Sequence, residues 1–263
     1  MVDQRDIIRK AIFPYHQQPI HSQLTTFVSF QLYTNAVQVG HERSALTSSR
    51  TLESLYINPI LDTLSRQNPL TPFAPEPTQN GIFDTDASQT LYFFIDLKTD
   101  GPTTWPAVLS ALEPLRAGNH LSTYDGTTFT SRAVTVIGTG NTPLYLVQAA
   151  VPRDAFYDAP LALLDSSTYS NVTANDAPIA STDFAASFGD VRKPELNETQ
   201  LATLRAQIGT AAEKGIMARY WNQPQYPIAT RNAVWKVLWE EGVGLLNADD
   251  VAAAAAFWEG TVV

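Results

Sequence analysis

Val39-Gly40-His41-Glu42 is followed by Ser44-Ala45-Leu46-Thr47, by Arg50-Thr51 and by Leu55-Tyr56-Ile57-Asn58-Pro59. A strand-like run here ends on a histidine and passes through a polar turn into a helix. That order exposes an acid–base side chain at the open end of a β/α barrel. Working outward, the same pattern of a short apolar run closing on polar residues recurs. Leu91 to Ile95 runs into Asp96 and Lys98, Ala133 to Ile137 into Gly138-Thr139-Gly140-Asn141, and Phe156-Tyr157 into Asp158. Ile216 to Ala218 leads to Arg219 and Trp221, and Val243 to Leu246 to Asn247, Asp249 and Asp250. Nearly continuous apolar runs suit parallel strands buried on both faces.

Helical periodicity fills the gaps. Residues 51–66, 103–116, 199–214 and 230–242 each place apolar residues on one face, with Asn197 as a cap for the third helix and Gly118 and Gly215 as stops. Alternating strands and helices predict a TIM-barrel-like α/β fold of the (β/α)8 type. Residues 1–18 read as an N-terminal helical extension and 19–263 as one barrel domain. Residues 69–80 read as an exposed loop, and 166–197 as a polar insertion holding one short strand.

The chain has 263 residues and a formal net charge of -9, with no cysteine. Its length suits one large α/β domain. Its acidity disfavours binding to nucleic-acid phosphates. The missing thiols exclude disulfides and Cys-ligated zinc. Neither an apolar run of membrane-spanning length nor a signal peptide is visible. Asn171 and Asn197 open glycosylation sequons, a weak pointer to secretion.

Many segments, in order, resemble one family. They are residues 39–69, Ile95 to Gly101 with Thr104-Trp105-Pro106, Leu112 to Arg116, Val134 to Pro143, Phe156 to Leu161, Arg219 to Trp221, Arg231-Asn232, Val234-Trp235 and Leu246 to Asp250. Together they look like the fungal "altered inheritance of mitochondria protein 6" family, within the phospholipase-C-like phosphodiesterase superfamily. The resemblance implies acid–base cleavage of a lipid or glycerophosphodiester head group, assisted by Mg²⁺. It casts His41 and Lys98 as catalytic residues, with Lys98 facing the phosphate. Asp96 becomes a metal ligand, and Arg219, Trp221, Asn247 and Asp249 substrate-binding residues.

The resemblance fails at the start of the barrel. The family's first-strand His-Asn-Asp is absent: Pro19-Ile20-His21-Ser22 matches what precedes it, and Gln23 stands in the histidine's place. The family's Glu-Ala-Asp falls on Phe27-Val28-Ser29, which cannot bind Mg²⁺ tightly. Four residues between His21 and Thr26 are too few for a parallel crossover, so the first βα unit reads as truncated. The expectation is a phosphoric diester hydrolase-like protein with impaired metal-assisted turnover. The alternative is a non-catalytic protein that binds a phosphate or lipid head group. Other features have plainer readings. Asp249-Asp250 also suits a helix cap, Gly138-Thr139-Gly140 a tight turn, Trp235 helix packing, and His16 and His120 the surface. Secreted and mitochondria-associated locations both stay open.

Overall fold

A computed structural model describes residues 11–12, 23–33, 36–40, 42–73, 75–76, 78–84, 86–191 and 195–261. In chain order the strands are β1 (Ala11–Ile12), β2 (Gln23–Tyr33), β3 (Ala36–Val39), β4 (Leu91–Leu97), β5 (Thr123–Tyr124), β6 (Phe129–Thr130), β7 (Val134–Gly140), β8 (Ala155–Pro160), β9 (Ile179–Asp183), β10 (Met217–Trp221) and β11 (Leu245–Leu246). The helices are α1 (Asn58–Gln67), α2 (Gly101–Ala111), α3 (Glu113–Ala117), α4 (Leu144–Ala149), α5 (Phe184–Phe188), α6 (Glu198–Glu213), α7 (Ile228–Glu240) and α8 (Val251–Thr261). The alternation of strand and helix is that of a TIM-barrel-like α/β fold. The chain divides into two compact units, residues 26–157 and residues 1–25 with 158–263.

In the unit of residues 26–157, β4 and β7 pair in parallel from Leu91↔Val134 to Leu97↔Gly140. Phe93, Phe94, Ile95, Val136 and Ile137 are fully buried, each contributing roughly 1.5–3 kcal/mol of apolar transfer. Where hydroxyls enter this core they pair with one another: Thr135 Oγ1 lies 2.8 Å from Thr90 Oγ1 and 2.7 Å from Ser122 Oγ. Ala155 to Tyr157 of β8 continue the parallel sheet beside β7. Helix α2 is capped by Asp100, which accepts from Thr103 N at 3.0 Å, and buries Trp105 and Val108. The helix expected over 103–116 is in fact two, α2 and α3, breaking at Leu112. Pro114 has no N–H with which to continue it. In the same way, the 51–66 helix opens with a wide turn, Glu53–Ile57, closed by Asn58 N–H on Glu53 O just before Pro59.

The strand leading to residue 41 differs from expectation. β3 pairs antiparallel with β2, from Phe30↔Val39 to Tyr33↔Ala36, and is no parallel barrel strand. Only two residues separate the strands, enough for a hairpin but not for a crossover helix. The region expected to form an N-terminal helical extension lies outside the described residues except Ala11–Ile12, a short strand paired with β2.

In the other unit, Asp158 to Pro160 of β8, then β9, β10 and β11, pair in parallel. β9 is the strand expected within 166–197, but it lies between β8 and β10 rather than in an excursion. Its apolar part is only Ile179-Ala180, followed by Ser181, Thr182 and Asp183. Helix α6 carries the expected Asn197 cap as a reciprocal box. Gln200 N donates to Asn197 Oδ1 at 2.9 Å, and Asn197 N to Gln200 Oε1 at 2.8 Å. It ends at Gly215, whose φ of +68° suits glycine. Trp235 of α7 is fully buried, with the Arg231 guanidinium 4.5 Å from its ring, which is the packing role expected for it.

Asn197→Ala removes the bond that Gln200 N donates to Asn197 Oδ1 and leaves the backbone bond to Gln200 Oε1 in place. It is expected to lower stability by about 1 kcal/mol, read as a fall of a few degrees in Tm.

His120 is half-buried rather than on the surface, and burial lowers its imidazole below the ordinary histidine value. The folded chain thus binds this proton less readily than the unfolded chain. Its contribution is intact above the unfolded value, about pH 6.5, and is lost as the pH falls through it toward the folded value. His120→Gln is expected to flatten the loss of Tm in acid titration below about pH 6.5, while leaving neutral-pH behaviour nearly unchanged.

Candidate functional site

Within residues 26–157, β4 delivers Asp96 and Lys98 to its C-terminal end, where α/β folds build their sites. Asp96 is buried at 5% exposure, and Lys98 Nζ lies 2.6 Å from its Oδ2. The lysine side chain is 45% exposed, so it covers the carboxylate on one side and meets solvent on the other. Across the ladder from Leu97 stands Gly140, with φ +65°. A Cβ at Gly140 would run into Asp96 Oδ1 and lie 2.6 Å from Leu97 O. Glycine is therefore required twice over, by backbone and by space.

Two loops lock around this strand end. Asn141 donates from its backbone to Leu97 O at 2.9 Å and from Nδ2 to Thr99 O at 3.0 Å. Gly101 opens α2 where a Cβ would strike Asn141 O. Thr142 N bonds Thr139 O at 3.3 Å, and Thr142 Oγ1 bonds the same oxygen at 2.8 Å. Contrary to the tight-turn reading, Gly138-Thr139-Gly140 is the last stretch of β7, in register with Ile95 to Leu97; the turn begins at Asn141, and the amides of Asn141 and Thr142 are satisfied by protein oxygens.

In the other unit, β10 carries Arg219, 3% exposed. Its Nη1 donates to Ser181 Oγ at 3.1 Å, from the registered position on β9. Its Nη2 donates to Asn247 Oδ1 at 2.6 Å, just past β11. Arg219 and Asn247, both expected at the site, therefore touch. Trp221 closes β10 with 43% exposure. Asn222 follows at φ +59°, its Nδ2 on both Asp183 oxygens at 3.0 and 3.1 Å. Asp249 is exposed, while its neighbour Asp250 caps α8 by accepting from Ala253 N at 2.9 Å. The helix-cap reading holds for Asp250. His41, the expected proton-transfer residue, lies outside the described residues, as do His16 and His21.

The sequence gives no sign of Ser181, Asp183 and Asn222 at these positions, and names Gly140 only within a Gly-x-Gly, not as the residue that makes room for Asp96. Mg²⁺ is not matched by the residues described: no group of three His, Cys, Asp or Glu side chains able to hold a metal occurs among them. Asp96 brings one carboxylate already facing an ammonium. A cavity of about 920 Å³ in the first unit includes Leu64, Asn80, His120 and Arg132 in its lining. Its lining also includes Ala87, Ser88 and Ala133, which precede β4 and β7, and does not include Asp96.

Residues 25–158 match the AIM6-like phosphodiesterase domain, nearly the bounds of the first unit. The chain is 48% identical over 231 residues to an altered inheritance of mitochondria protein 6 homolog of Arthroderma benhamiae, covering 86% of this chain and 72% of that protein. The chain belongs to the AIM6-like phosphodiesterase family. It is also 34% identical over 233 residues to altered inheritance of mitochondria protein 6 of Eremothecium gossypii, and 26% over 267 residues to that of Candida glabrata. These two alignments cover 83% and 94% of this chain, and it spans 59% and 63% of those relatives. No solved structure matches. The family domain includes Asp96, Lys98 and Gly140, whereas Arg219 and Asn247 follow it. No helix among the described residues is long and apolar enough to cross a membrane.

Gly140→Ala places a methyl group against the Asp96 carboxylate on a left-handed backbone. It is expected to cost at least about 1 kcal/mol, measured by chemical denaturation. Gly209→Ala, inside α6 with open space around its Cα, is expected to be neutral or stabilising by the same measurement.

Proposed function

We propose that this chain is a phosphoric diester hydrolase-like domain for a lipid or glycerophosphodiester head group, in which metal-assisted turnover is impaired. One observation carries the reading: the buried Asp96 carboxylate is neutralised by Lys98 at 2.6 Å, and no metal-holding group of carboxylates gathers with it among the described residues. Mg²⁺ takes hard oxygen ligands in near-octahedral geometry, and one ion-paired carboxylate competes poorly for it. In this reading Lys98, half in solvent, turns its ammonium to the phosphate as a compact point charge. His41 moves the proton at the leaving or attacking oxygen. Arg219 and Asn247 brace the strand ends of their own unit, and the Trp221 ring is available for stacking. Asp249 is exposed and contributes at most a solvated contact. The net charge of -9 directs the site toward small or lipid phosphodiesters rather than nucleic acid.

The same ion pair favours a second reading, binding without turnover. Both are tested with a soluble glycerophosphodiester incubated with the purified full chain, with and without EDTA. The expected result is slow, EDTA-insensitive hydrolysis that His41→Ala abolishes. Binding without hydrolysis, unchanged in His41→Ala, establishes the second reading. Robust EDTA-sensitive hydrolysis overturns the proposal of an impaired metal site. In either reading Lys98→Ala is expected to weaken phosphodiester binding about tenfold, measured by calorimetry.

A further inference from the structure

The loop between β10 and α7 inverts the usual distribution of polarity. It buries an amide, Gln223 at 3% exposure, and exposes Tyr226 at 83% and Ile228 at 58%. Trp221, where the loop begins, adds a third large exposed side chain at 43%. Removing such surface from water is favourable, so leaving three large side chains outside within eight residues calls for a partner. The loop is also firmly held. Gln223 Nε2 donates to Tyr220 O at 2.8 Å, and the Asn222 amide grips the Asp183 carboxylate at 3.0 and 3.1 Å. The exposed side chains therefore stand on a braced base.

We propose that this loop, through Trp221, Tyr226 and Ile228, docks the protein on a zwitterionic lipid surface. Charge decides between occupants. Residues 220–230 carry no charged side chain. The carboxylate of Asp183 touches the loop base, and the whole chain carries -9. An anionic bilayer would repel this end, whereas a phosphocholine surface presents no net charge. Tryptophan and tyrosine suit that boundary because an apolar ring enters the acyl edge while the N–H or O–H stays among head groups. Ile228, at the first position of α7, adds purely apolar area beside them. The inference goes beyond the proposed function, since docking requires neither turnover nor a metal.

The test is co-sedimentation of the full chain with phosphatidylcholine vesicles, and with the same vesicles enriched in phosphatidylserine. The expected result is binding to phosphatidylcholine that weakens as phosphatidylserine rises. Tyr226→Ser combined with Ile228→Ser should lower vesicle affinity about tenfold or more while leaving Tm unchanged. Because the double variant replaces the residue before Pro227, Ile228→Trp serves as a second probe and is expected to strengthen vesicle binding. Binding of a soluble glycerophosphodiester should be the same in all these proteins. Loss of that binding throughout, with vesicle binding intact, would overturn the head-group reading and leave docking standing. Failure to sediment with phosphatidylcholine, binding only to phosphatidylserine vesicles, or self-association abolished by the double variant would each overturn the docking proposal.

Discussion

A carboxylate buried at the end of a parallel strand has to be neutralised, and this requirement organises the first unit. Asp96 sits at 5% exposure on β4, and Lys98, two residues on, supplies the compensating charge at 2.6 Å. Removing a charge from water is tolerated only where a partner restores the lost hydration. The backbone makes room for it through Gly140, directly across the ladder. The amide of the next residue, Asn141, then ties the β7 loop to the end of β4. Ion pair, missing Cβ and interlocked loops are thus parts of one solution. None can change without disturbing the others.

The second unit meets the converse problem with a buried cation. Arg219 lies between β9 and the end of β11, with its outer nitrogens on Ser181 and Asn247. A planar guanidinium can reach oxygens on both flanking chain segments at once, which the compact ammonium of lysine cannot. Each unit therefore gathers polar side chains where its parallel strands end, the face at which α/β folds do chemistry. Membership of the AIM6-like phosphodiesterase family accounts for the residue types.

Periodicity and turn chemistry made much of the framework readable. The run 91–95 became the core of β4, 133–137 that of β7, and the Asn197 cap and Gly215 stop of α6 stand where their residue types placed them. Failures cluster where local signals conflict. Pro114 divided a stretch that was continuous by periodicity alone, and β9 lay hidden among polar residues. The strand before residue 41 has the composition of an inner strand, yet its two-residue connection leaves only an antiparallel hairpin. Asp96, Lys98, Arg219 and Asn247 each follow an apolar run, and it is the family resemblance that marks them as site candidates. Their partners Gly140 and Ser181 are not so marked, since a small residue carries no mark of what it faces.

By itself the sequence determined the α/β class, the family, most strand cores and the caps. These follow from local periods and from residue chemistry. Only the tertiary structure decided that Asp96 is closed by Lys98 over Gly140, that Arg219 bridges Ser181 and Asn247, and that the β10–α7 loop turns its aromatics outward while burying its glutamine. Those facts depend on which strands become neighbours and in what register. Register is a property of pairing between distant segments, and no local pattern contains it.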